Sequence, residues 1–168
     1  MDNEMRKIFR ELNHEHLHSI WEKAKNGDLD DLDEEERRFA KAMIEHEDEF
    51  FNQFEMSDLL HDHEYDVDNE ANPFLHISLH VVAETQLEIR DPIEVYQFYN
   101  AMRAKKCSHH DTIHLIGSII APLLISTLQQ KKEFDLDRYR SLLKKCKNRN
   151  PDKIPGYMEK DFANLFSE

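Results

Sequence analysis

Apolar residues recur every three or four positions along most of this chain, the spacing that gathers them on one face of an α-helix. Phe9, Leu12, His16 and Ile20 mark such a stripe and predict a helix over residues 3–26, with Gly27 as the residue that turns the chain out of it. Phe39, Met43, His46, Phe50 and Phe54 trace a second helix, in which His46 is in line with the apolar face. Residues 28–36 between them form an acidic run. There Asp31 and Glu34 fit a capping box, and the remaining acids suit the positive end of a helix dipole.

Residues 56–72 are polar and predict a long loop, with acids at Asp62, Glu64, Asp66, Asp68 and Glu70. Counted from Asp62, Val67 and Pro73 stand where a calcium loop needs Gly and Glu, which excludes an EF-hand. Asn72 as N-cap and Pro73 in the first turn open a third helix, PFLHISLHVVAETQLEI. Asp91 and Pro92 repeat that start before a fourth, IEVYQFYNAMRAK, whose inner face carries Val95, Phe98, Tyr99 and Met102. Ser108 and Asp111 form a second box ahead of IHLIGSIIAPLLISTL, apolar almost all round and therefore the expected centre of the bundle. Asp135 starts a sixth helix with a basic last turn, and Tyr157, Met158, Phe162 and Phe166 are the residues by which the tail would dock. The expected fold is all-α: a single-domain bundle of about five to six helices over residues 1–150, followed by a partly docked tail over 151–168.

Composition narrows the function. A chain of 168 residues can build its core without metal or disulfide staples, so a metal here is expected to serve function rather than folding. Cys107 and Cys146 have neither zinc-site nor disulfide-framework spacing, and reduced thiols are expected. No stretch approaches the roughly 20 apolar residues of a membrane span, nor does the N-terminus have the apolar run of a signal peptide; a cytoplasmic protein is expected. A formal charge of −13 argues against nucleic-acid and anionic membrane partners. Metal ions, small molecules and basic proteins remain.

The candidate chemistry lies in histidine. Scattering 11 histidines at random would place about 0.7 pairs four residues apart, whereas His14/His18, His76/His80 and His110/His114 all have that spacing. On a helix such a pair presents both rings on one face, and neutral imidazole suits iron, zinc, copper and nickel. His76, His80, His110 and His114 are therefore candidate metal ligands, and His46 is a fifth because it interrupts an apolar stripe. Glu84 continues the His76, His80 series by one more turn and is the candidate proton carrier or orienting partner. His110 sits in a first turn, where the dipole favours the neutral ring. Pro122, inside the fifth helix, frees the Ser118 carbonyl next to the His114 face. His14, His18, His61, His63 and His109 are expected to face solvent, with His16 inward.

At these residues the chain resembles a family of small uncharacterised bacterial proteins, grouped as domain of unknown function 1841. Trp21-Glu-Lys23 with Gly27 and Leu32 is similar to that family's W-x-K…G…L opening, and Ile44-Glu-His46 to the helix leading into its His-Pro-Glu-Tyr-His motif. Asn72-Pro-Phe-Leu-His76-x-Ser-Leu-His80, with Gln86 beyond it, resembles the N-P-F-L-H-x-x-x-H signature, and His110-x-x-x-His114 resembles H-x-x-E-H. The likeness spans about residues 20–145. Glu47, Phe50 and Ile113 depart from it, standing where the family has Pro, His and Glu. The resemblance implies a helical fold and histidines at shared positions, and it supplies no activity.

Two functions follow as expectations. One is a metal-binding bundle with a His-rich site between helices, extending to a non-haem iron or zinc enzyme that acts on water or dioxygen. The other is an acidic interaction adaptor with structural histidines, recognising a basic protein.

Overall fold

The computed structural model describes residues 14–60, 63, 65 and 71–163. Phe9 and Leu12, the five acids of the predicted loop, His61 and Phe166 lie outside these residues. The described chain forms α1 (His14–Asn26), α2 (Glu34–Glu45), α3 (Glu47–Glu55), α4 (Pro73–Ile89), α5 (Ile93–Ala104), α6 (His109–Gln130), α7 (Leu136–Lys147) and α8 (Ile154–Ala163), with short 3-10 turns at Ser57–Leu59 and Pro151–Lys153. The all-α expectation is borne out, with eight helices where about five to six were expected. None is long and apolar enough to cross a membrane.

Two local events account for the extra helices. The predicted second helix breaks at His46, whose φ −115, ψ 16 is non-helical, so that His46 ends α2 and begins α3. Phe50 departs similarly (φ −123, ψ 17). Neither glycine nor proline announces this break. The tail, in turn, folds as α8.

The caps follow the chemistry of short polar side chains. Asp33 accepts from the Glu36 backbone at 2.9 Å while the Glu36 carboxylate accepts from the Asp33 N–H at 2.9 Å. The box is thus two residues beyond the Asp31/Glu34 pair expected, because the acidic run offers the same spacing in both registers and α2 starts at Glu34. Asn72 accepts from the backbones of Phe74 and Leu75, both at 3.0 Å, and Asp135 from that of Arg138 at 2.9 Å. Ser108 Oγ accepts from the Asp111 N–H at 3.0 Å and donates to its carboxylate at 2.5 Å. Gly27, at φ +74, closes α1 with bonds from Gly27 N to Ala24 O and from Asp28 N to Lys23 O, a Schellman ending.

Contacts group the chain into two compact units, Met1–Val82 and Ala83–Glu168, dividing within α4. In the first, α1 packs on α2 and α3, and Ile20, Trp21, Met43, Phe54 and Ile77 lie in its core. Trp21 is fully buried, and its indole N–H donates to Glu55 at 2.7 Å, satisfying the polar atom of a large apolar side chain. His16, expected inward, is exposed 3.3 Å from Glu36, while Leu17, Ile20, Trp21 and Ala24 face the core. The stripe is rotated by one residue, about 100° on a helix.

In the second unit α5 packs on α6 and α7, and α6 on α7 and α8. The buried Tyr139 hydroxyl donates to Gln86 at 2.8 Å. Arg138 bridges to Asp161 at 2.9 Å, Arg149 stacks 3.7 Å over the Tyr157 ring, and Met158 and Phe162 are buried, so α8 is held by both charge and packing. The Glu94 carboxylate on α5 meets Lys144 at 3.1 Å and Arg140 at 3.6 Å on α7. Burial opposes its ionisation, but its own backbone N–H and these cations hold the carboxyl below the usual range.

A carboxyl depressed in the folded state contributes stability above its unfolded value of about 4.3, and loses it as the pH falls through the folded value. Denaturant midpoints should therefore separate wild type from Glu94→Gln near neutrality and converge in acid. A gap independent of pH would show that Glu94 is not held ionised.

Candidate metal centre

His46 owes its position to the break between α2 and α3. Its Nδ1 lies 2.7 Å from the Ala42 carbonyl oxygen, one turn back. A carbonyl only accepts, so Nδ1 carries the proton and donates, which places the ring's lone pair on Nε2. Backbone support of this kind fixes both the tautomer and the orientation of metal-binding histidines.

His76 and His80 project from one face of α4. Their ring centroids lie 5.0 Å apart and 4.5 and 4.4 Å, respectively, from that of His46, whose plane is steeply inclined to both, at 70° and 78°. His46 and His80 are buried, 4% and 5% exposed, and His76 is half-buried. The first unit therefore gathers three of the five candidate ligands. Phe50, where the resembled motif has histidine, sets its ring 5.5 Å from His76 and 6.4 Å from His46, replacing a donor with an apolar wall.

The second unit holds the other pair. His110 and His114 on α6 have centroids 4.4 Å apart, and neither is buried. Between them in sequence, Asp111 is occupied by its cap: the Ser108 hydroxyl holds its carboxyl below the usual range against some desolvation, with His110 and His114 adding to the lowering. Ile113, where the resembled segment has an acid, is a core residue. Pro122 lies within a continuous α6, and the Ser118 hydroxyl donates to Leu115 O at 2.8 Å.

His109, expected to face solvent, instead joins a chain of polar groups. Its Nε2 donates to Glu84 at 2.7 Å, and its Nδ1 lies 2.8 Å from the Tyr99 hydroxyl. An ionised carboxylate only accepts, so Nε2 carries the proton and Nδ1 accepts from the phenol. The chain joins α4, α5 and α6, and it brings Glu84 to the neighbour of His110. Tyr99 and His109 had no distinguishing sequence signal, because ten residues and a helix end separate them and only the fold brings them together. Of the remaining histidines, His18 reaches Ser57 Oγ at 3.3 Å, His14 stacks 4.5 Å from Phe74 and His63 lies 4.5 Å from Tyr65.

The family described as Domain of unknown function (DUF1841) matches residues 4–145 of the chain. No match was found among curated proteins or solved structures.

Glu84→Gln exchanges a charge-assisted bond for a neutral one and should cost about 1–2 kcal/mol in denaturant unfolding, whereas Tyr99→Phe should cost about 1 kcal/mol. The double variant should lose less than the sum, since both act through His109. Strict additivity would show that the three groups do not act as one chain.

Proposed function

This chain belongs to the DUF1841 family, whose description names no activity, and from the site itself we propose that the protein binds a transition-metal ion, iron or zinc, through His46, His80, His110 and His114. The observation that supports this most is that each offers one imidazole nitrogen and that the four nitrogens lie within 4.8 Å of one another. Nitrogens bound tetrahedrally at about 2.0–2.1 Å stand about 3.4 Å apart. The donor set fits: imidazole is a good ligand for either metal, and the bond to the Ala42 carbonyl puts the His46 lone pair on Nε2. His76 flanks the group and packs on two of its members.

A bound ion would supply Lewis acidity or dioxygen chemistry, and an enzymatic role is the further step of this reading. The protein's own contribution would be the buried wall of His46, His80 and Phe50, which excludes water, and the Glu84–His109–Tyr99 chain, which holds a proton at His109 Nε2. The reading also takes the protein to be cytoplasmic, with free thiols at Cys107 and Cys146.

Protein purified without chelators and offered iron or zinc should retain about one equivalent, and His80→Ala combined with His110→Ala should abolish retention while circular dichroism keeps its helical signal. Chelation should lower the melting temperature, since an ion present at a hundred times its Kd adds about 2.7 kcal/mol to the native state. No uptake of either metal would overturn the proposal and turn attention to an acidic adaptor with a basic partner.

A further inference from the structure

Apart from the metal reading, we propose that Tyr99, His109 and Glu84 act as nucleophile, general base and orienting carboxylate in the transfer of an acyl group from an aryl ester or a thioester. The Tyr99 hydroxyl donates to His109 Nδ1 at 2.8 Å, and His109 Nε2 donates to Glu84 at 2.7 Å. A nucleophile within hydrogen-bond reach of a base, itself oriented by a third group, is the arrangement that activates hydroxyls on unrelated folds. All three residues belong to the unit Ala83–Glu168. The His109 and Glu84 side chains are 39% and 26% exposed and Tyr99 is half-buried, so a reactant and water can reach them. His109 opens α6, whose N-terminal end favours the negative charge that builds on an acyl oxygen during transfer.

Tyr99 Oη attacks the acyl carbon as its proton passes to His109 Nδ1. A C–O bond forms, the bond to the leaving group breaks, and His109 returns the proton to the departing phenolate or thiolate. His109 then takes a proton from water, which attacks the acylated Tyr99 and releases a carboxylic acid and the free phenol. The leaving group sets the substrate class. A phenolate is a far weaker base than an alkoxide, so the adduct with an alkyl ester or an amide expels Tyr99 again, whereas a second phenolate or a thiolate departs as readily as Tyr99 does. The formal charge of −13 repels phosphate esters and other anions and favours neutral acyl donors.

The full-length protein is mixed with p-nitrophenyl acetate and, separately, with S-phenyl thioacetate, quenched in acid at short times, and mapped by peptide mass spectrometry for acetylated tyrosine. Tyr96 and Tyr157, half-buried like Tyr99, serve as references within the same molecule. Tyr99 should be acetylated at least about tenfold faster than either by at least one donor, the faster donor naming the leaving group. His109→Ala should remove that excess, and Tyr99→Phe should abolish leaving-group release above background. Glu84→Gln should reduce the excess in part while Tyr96 and Tyr157 keep their rates, a selectivity that a general loss of structure would not produce. Equal labelling of these tyrosines with release unchanged by Tyr99→Phe, or an excess that survives His109→Ala, would overturn the proposal. Metal uptake is measured separately, so failure here leaves the metal reading standing.

Discussion

A helix turns once in 3.6 residues, and every candidate ligand pair in this protein depends on that period. It stacks His76 on His80 and His110 on His114, with centroids 5.0 and 4.4 Å apart, without any loop having to be ordered for the purpose. Imidazoles carried on helices lose little freedom beyond their own rotamers, because the backbone beneath them is already hydrogen-bonded within the helix. The exception is His46. It belongs to no pair and stands at a helix end, where the departure from helical dihedrals, rather than the period, sets the direction of its ring.

What could be read from the sequence divides along the same line. The His pairs, the Asn72, Ser108 and Asp135 caps and the Gly27 ending all depend on residues within four positions of one another, and all were legible. The capping box was misplaced by two residues because Asp31/Glu34 and Asp33/Glu36 have the same pattern, and only where α2 begins decides between them. His16 was misjudged for a related reason: histidine scores as amphipathic, and the apolar Leu17 beside it claims the core. The break at His46 had no proline or glycine to announce it. Nor could the chain from Glu84 through His109 to Tyr99 be foreseen, since three different helices supply it.

Polar bonds recur at the points where helices meet. Trp21 to Glu55 joins α1 to α3, Tyr139 to Gln86 joins α7 to α4, and Glu94 to Lys144 joins α5 to α7. Apolar contact supplies most of the driving force but tolerates small rotations and slips, whereas a buried donor without its acceptor costs about 1–3 kcal/mol. These bonds thus restrict the rotation of each helix about its axis. Helix rotation is also the variable on which the aim of the histidines depends.

The bond from His46 Nδ1 to the Ala42 carbonyl ties ligand availability to the integrity of a helix end. Terminal turns open far more often than whole domains unfold. Each opening of the last turn of α2 would release the ring to reorient or exchange its tautomer. The residence time of a bound ion would then follow the fraying rate of one turn of backbone, and slow amide exchange at the end of α2 would accompany slow metal release.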